Sequence, residues 1–268
     1  MRIVLYTSDK PGFINRYYMN RLIHEQSHAF LLVSVRREQS FFSNVKKQLL
    51  RLMYELRFGK PEIRKEDDLL QSIFNKETQA LPARFKTIRV NAVNDTESEA
   101  VIREFKPDVI VQLGAGILME NIFGIPQFGT INVHHGYAPE VRGQQSTLWA
   151  LYYGLTDSIG VTCHYIDAGL DTGAVIDQYL YPYKQGDSYV KIQERLIREG
   201  YGCLINALEK LEAGRFAEVA EREVLSCYFS YFKPELYDAL KGNNFYKVDD
   251  ISTYPKKKFL IKKTAVFA

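Results

Sequence analysis

Short, largely apolar runs separated by amphipathic stretches fill the first 185 residues, and this rhythm constrains the fold more than any other feature of the chain. RIVLY at 2–6, AFLLVSV at 29–35 and DVIVQL at 108–113 lack the alternation of a half-solvated strand. They read as strands buried on both faces. FKTIRV at 85–90, GTINV at 129–133, IGVTCHYI at 159–166 and AVIDQYLY at 174–181 read as further strands. Between them, 13–27, 96–105 and 145–153 suit helices, with Thr96, three residues before Glu99, placed to cap the second. A polar stop at Gly186-Asp187 precedes a long amphipathic helix over 188–213, closed by Gly214. Strands alternating with helices imply an α/β fold, a Rossmann-like, mostly parallel sheet with helices on both faces. Loops at the carboxyl ends of its strands are the default ligand sites. This divides the chain into a Rossmann-like domain over 1–185, a closing helix over 186–214 and a short β-rich or mixed extension over 215–268. The extension is aromatic, carrying Tyr228, Phe229, Tyr231, Phe232, Phe245, Tyr246 and Tyr254.

Composition narrows the class further. With 268 residues, 46% hydrophobic and 25% charged, the chain can bury a sizeable core, which excludes a disordered or fibrous protein. No apolar run approaches the ~20 residues of a membrane span. The opening MRIVLYTSDK turns polar too early for a secretory signal, so a cytoplasmic chain is expected. Cys163, Cys203 and Cys227 have no paired spacing, which points away from a disulfide framework or structural zinc. A net charge of +3 is too small to imply nucleic acid, but residues 36–65 hold nine Lys or Arg against three Glu. Within that basic insertion Val45, Leu49, Leu52, Met53 and Leu56 recur at helical spacing, as in a packing helix with a solvated basic side. The alternative is a face that attracts phosphate or anionic lipid.

The chemistry concentrates elsewhere. A dinucleotide fingerprint is missing, because Gly114-Ala115-Gly116 is followed by Met119 where a third glycine belongs, and there is no Walker loop. INVHHGYAPEVRG at 131–143 and GVTCHYIDAGLDTGAVIDQ at 160–178 stand out instead. Asn132 and His134 sit two apart at a strand end, so both side chains leave one face, while His135 points toward packing. Asp171 lies in a turn between two strands. If those strands neighbour the one bearing His134, an amide, an imidazole and a carboxylate converge. Such a trio can carry acyl transfer without a covalent enzyme intermediate. The amide donates to the developing oxyanion, the imidazole moves protons, and the carboxylate orients the imidazole. His164 is read as structural or as a support to the trio. Arg142 either anchors a loop or touches an anionic acceptor. His24 and His28, four apart, lack the neighbouring Glu of a helical zinc motif, and no metal is expected.

These stretches resemble the signature of the folate-dependent formyltransferases: Asn-x-His, Pro, Arg-Gly, a Trp-bearing helix, Gly-x-Thr-x-His and Asp-x-Gly. Here the matching residues are Asn132, His134, Pro139, Arg142-Gly143, Trp149, Gly160, Thr162, His164, Asp171 and Gly173. The likeness runs from about 107 to 210. It implies an N-formyltransferase with Asn132, His134 and Asp171 as catalytic residues. The implied co-substrate is 10-formyltetrahydrofolate, held by backbone groups of two loops at Gly116, Ile117 and Met119 and at Ile166 and Asp167. Each oxyanion donor would contribute about 3–4 kcal/mol. One departure is visible: relatives carry Ser-Leu-Leu-Pro where this chain has Gly136-Tyr137-Ala138-Pro139.

The resemblance leaves three acceptors to compare. Relatives acting on methionyl-tRNA carry a C-terminal barrel of about a hundred residues, against ~55 here after Gly214. Relatives acting on glycinamide ribonucleotide have a glycine-rich turn after the first strand, where this chain has TSDKPGF. A nucleotide-linked amino sugar is the remaining acceptor, in keeping with bacterial glycan biosynthesis. The aromatic tail and the basic insertion suit a nucleotide, with no nucleic-acid partner and no membrane span. The same trio could instead hydrolyse the folate donor, although relatives doing so carry an added N-terminal domain. The aromatic tail also suits a homodimer contact.

Overall fold

A computed structural model describes residues 1–36, 49, 52–53, 56, 62–82, 85–215, 222–229 and 257–261. Seven strands form the main sheet: β1 (Arg2–Ser8), β2 (Ala29–Val35), β3 (Thr87–Val90), β4 (Val109–Leu113), β5 (Thr130–His134), β7 (Gly160–Tyr165) and β8 (Val175–Leu180). Their order is β3-β2-β1-β4-β5-β7-β8. The first five pair in parallel, whereas β5–β7 and β7–β8 are antiparallel. A second sheet joins β6 (Val141–Gly143), β9 (Arg222–Phe229) and β10 (Lys257–Ile261), in the order β10-β9-β6. The expected α/β, mostly parallel architecture is therefore present.

The helices are α1 (Phe13–Glu25), α2 (Glu62–Lys76), α3 (Thr96–Phe105), α4 (Glu120–Phe123), α5 (Ser146–Tyr152) and α6 (Tyr189–Glu212). β1 is apolar over Ile3–Tyr6 and β2 over Ala29–Val33 because each is covered on both faces. Val4, Tyr6, Leu31 and Val33 meet Ile102 of α3 on one side; Ile3, Leu5 and Leu32 meet Tyr17, Tyr18 and Leu22 of α1 on the other. α6 begins at Ser188, whose side chain accepts the Lys191 amide at 3.2 Å. It lays Ile192, Leu196, Leu204 and Leu208 against Ile131, Val161 and Cys163.

β5 and β7 carry a true period of two. Ile131, Val161, Cys163 and Tyr165 face the core beneath α6, and Val133 packs against it. Thr130, Asn132, His134, Thr162 and His164 therefore face the opposite side of the sheet. A strand pair with one greasy face and one polar face is what positions the site.

Two expectations change, and one helix is added. The cap of α3 is Asp95, which accepts the Ser98 amide at 2.8 Å, and Thr96 already lies inside the helix. Helix α2 adds to the elements read from sequence and buries Leu70 and Phe74, four residues apart, in the main core, with Ile73 packed against it. Of the apolar positions in 41–58, Leu49, Leu52, Met53 and Leu56 are helical and more than half exposed, not packed. The remainder of that stretch lies outside the described residues. So do Tyr231, Phe232, Phe245, Tyr246 and Tyr254 of the tail.

Candidate active site

Register decides which polar side chains meet. Across the antiparallel β5–β7 pair, Asn132 stands opposite His164, and His134 opposite Thr162. Opposed residues in such a pair point to the same face, so the period of two places all four together. The connection from β7 to β8 then brings in Asp171, whose backbone is left-handed at φ +52°. Asp167 ties this loop down by accepting the Gly169 amide at 3.0 Å and the Thr172 hydroxyl at 2.5 Å.

Asp171 bridges the two histidines. Its Oδ2 lies 3.5 Å from His134 Nδ1 and accepts the Gly143 amide at 3.1 Å; its Oδ1 lies 3.6 Å from His164 Nε2. His164 Nδ1 is 2.7 Å from the Tyr165 carbonyl, which can only accept, so that nitrogen carries a proton. Nε2 of the same ring stands 3.4 Å from the Asn132 amide nitrogen and beside Asp171 Oδ1. By the same reasoning His134 Nε2, 3.2 Å from the Val141 carbonyl, is protonated, with the Ser146 hydroxyl beside it at 3.3 Å. His134 Nδ1, beside Asp171, is left as the nitrogen that takes up or releases a proton.

Electrostatics separate the partners. Burial pushes the Asp171 carboxyl upward, but the His164 hydrogen bond, the two neighbouring imidazoles and the Gly143 amide together hold it well below the usual carboxylate range. Burial lowers His134 and outweighs the opposing pull of Asp171, so the ring is neutral at neutral pH. A neutral imidazole beside an ionised carboxylate is a base whose conjugate acid is already provided for.

The loop after β5 is shaped around this ring. A Cβ at Gly136 would lie 2.3 Å from His134 Nε2 and 2.6 Å from the Val141 carbonyl. Glycine at this position thus leaves room for the imidazole. Next door His135 faces the other way, its Nε2 3.1 Å from the Tyr18 hydroxyl with the rings stacked. Burial and the neighbouring His134 lower His135 to about 4. Because its folded value lies below its unfolded one, its contribution is complete above pH 6.5 and is lost as pH falls toward 4. That 2.5-unit difference corresponds to roughly 3 kcal/mol. Urea unfolding at stepped pH should show His135→Gln losing less stability than the parent between pH 6.5 and 4. Parallel pH profiles for the two proteins would contradict a neutral, buried His135.

A cleft opens beside these groups, with Asn132, His164 and Asp171 on one wall. Of the five loop residues expected to hold a co-substrate, Gly116, Ile117, Ile166 and Asp167 line it. Met119 is not among the lining residues; its side chain is 62% exposed and its amide donates to Asn94 Oδ1 at 2.8 Å. His134 does not line the cleft either, but sits behind it at 8% exposure. His164 takes the lining place, together with Gln112 and Leu170. Its role was readable from GVTCHY only to a reader who knew that β7 pairs with β5. Arg142 turns out to anchor a loop: its guanidinium donates to the Leu170 carbonyl at 2.9 Å. Among the described residues no group of three His, Cys, Asp or Glu is arranged to hold a metal ion, and no helix is long and apolar enough to cross a membrane.

The sequence profile of the formyl transferase family matches residues 63–208, and the chain belongs to that family. The methionyl-tRNA formyltransferase of Nitrosomonas europaea is 31% identical over 142 residues, which are 53% of this chain and 44% of that protein. The chain thus spans less than half the length of the curated relatives it matches. Among solved structures, the formyltransferase PseJ from Anoxybacillus kamchatkensis, in complex with UDP-4,6-dideoxy-4-formamido-L-AltNAc and tetrahydrofolate, is similar. It aligns with a TM-score of 0.51 at 18% identity, over 91% of this chain and 94% of that one. Glycinamide ribonucleotide transformylase 1 from Symbiobacterium toebii aligns with a TM-score of 0.53 at 17% identity, over 82% and 91%. At these identities the solved structures establish a shared fold.

Proposed function

We propose that the chain transfers a formyl group from 10-formyltetrahydrofolate to the amine of a small acceptor, a nucleotide-linked amino sugar. The observation that carries the reading is Asp171 bridging His134 and His164, with Asn132 beside them at the cleft wall. The folate would supply the formyl carbon and the departing nitrogen. Gly116, Ile117, Ile166 and Asp167 would hold it, and the exposed apolar side chains of Ile117 and Leu170 offer surface that a flat heteroaromatic ring would cover. The Asn132 amide donates to the oxyanion that develops on the formyl oxygen. The histidine–aspartate unit accepts the proton shed by the attacking amine and returns it to the leaving nitrogen, with Asp171 stabilising the imidazolium between the two transfers.

The choice of a sugar acceptor draws on one of the fold relatives. PseJ matches this chain nearly end to end, and its complex contains a formamido sugar nucleotide. A second reading, methionyl-tRNA as acceptor, draws on the higher sequence identity to that class. Release of tetrahydrofolate should be followed with nucleotide-linked 3-amino and 4-amino sugars, glycinamide ribonucleotide, methionyl-tRNA and no acceptor. Turnover with one amino sugar supports the reading. Turnover with methionyl-tRNA or glycinamide ribonucleotide replaces the acceptor and keeps the chemistry. Equal release without acceptor makes the activity hydrolytic.

A further inference from the structure

The strand that braces Asp171 lies beyond the region the family shares. The family match ends at residue 208, whereas β9 spans Arg222–Phe229 and pairs in parallel with β6, with Val141 opposite Cys227 and Gly143 opposite Phe229. At the centre of this pairing is a buried polar relay. Ser226, 1% exposed, donates its hydroxyl to the Pro139 carbonyl and accepts from Arg142 Nε at 2.8 Å. Arg142, 7% exposed, passes the contact on through Nη1 to the Leu170 carbonyl at 2.9 Å. The next residue, Gly143, donates its amide to Asp171 Oδ2. Each end of the Leu170-Asp171 step is therefore gripped by β6, and β6 is gripped by β9.

We infer that Ser226 is a positioning residue for Asp171, acting through Arg142 and the Leu170 carbonyl, so that strand β9 completes the active site. A buried guanidinium holds a carbonyl in one place only if its own direction is fixed, and a hydrogen bond to its Nε fixes that direction. Without the Ser226 hydroxyl, Arg142 loses that partner and the Pro139 carbonyl loses its donor in a dry environment. The loop carrying Asp171 then gains freedom while the sheet beneath it stays intact.

The kinetic arm of the test rests on the formyl-transfer reading; the exchange arm does not. Ser226→Ala should lower kcat about tenfold or more, the loss expected for one hydrogen bond to a buried charged group, with KM for the amine acceptor changed less than about threefold. Ser226→Thr, which keeps the hydroxyl, should recover most of the turnover. In hydrogen–deuterium exchange the 167–173 amides of Ser226→Ala should exchange faster, while those of β1 and β4 keep their protection. Unchanged exchange at 167–173 in Ser226→Ala would overturn the inference, and so would a uniform rise across the whole domain, which marks general destabilisation. If the parent protein shows no formyl transfer while 167–173 still loosens locally, the brace stands and the proposed reaction falls.

Discussion

His134→Ala should lower turnover in formyl transfer by a hundred- to ten-thousand-fold, the range spanned by positioned general acid–base groups, and leave folate affinity within a few-fold. The two effects separate because of where the ring sits. It is bonded to the Val141 carbonyl and flanked by Asp171 and Ser146, behind a cleft whose wall is made by other residues. Its loss removes the proton carrier without removing surface that a co-substrate would touch. Stopped-flow turnover and a separate equilibrium binding titration with a non-transferable folate analogue read the two quantities. Wild-type turnover in the variant would remove His134 from the mechanism. A matching collapse of binding would mean that the ring shapes the cleft as well.

Gly143→Ala is the second large effect, and it acts on both stability and the site. Gly143 has φ +97°, and a Cβ there would lie 2.0 Å from the Phe229 carbonyl oxygen on the paired strand. Backbone cannot yield as a flexible side-chain tip can, so β6 and β9 must separate. Left-handed strain of about 1–2 kcal/mol combines with overpacking of about 1–3 kcal/mol. A loss of roughly 2–5 kcal/mol in urea unfolding is expected from those two contributions. Activity should fall further than stability alone explains, since the Gly143 amide holds Asp171. A variant with unchanged unfolding midpoint and unchanged turnover would show that the β6–β9 contact is dispensable.

Much of this was legible before any coordinates. The largely apolar runs of β1, β2 and β4 announce strands covered on both faces, and their bounds fall within a residue or two of the structure. The pairing of Asn132 and His134 on one face, with His135 turned away, followed from the period of two and holds. Shorter or weaker patterns were less informative. Thr96 and Asp95 are both good caps side by side, and only the backbone at the helix entry separates them. Helix α2 shows its apolar stripe in Leu70, Ile73 and Phe74, but it follows a basic insertion that drew the reading away from it.

The sequence by itself determined the strand and helix alternation, the polar face of β5 and β7, and the residue types available for chemistry, because these are properties of neighbours along the chain. Only the tertiary structure decided that His164 stands across from Asn132 and lines the cleft with His134 behind it. It also decided that a three-residue strand at 141–143 exists and that Ser226, more than eighty residues away, fixes Arg142. A strand of three residues has no pattern of its own. It is created by hydrogen bonds to a distant partner, and register between distant partners is set by packing that no local stretch of sequence contains.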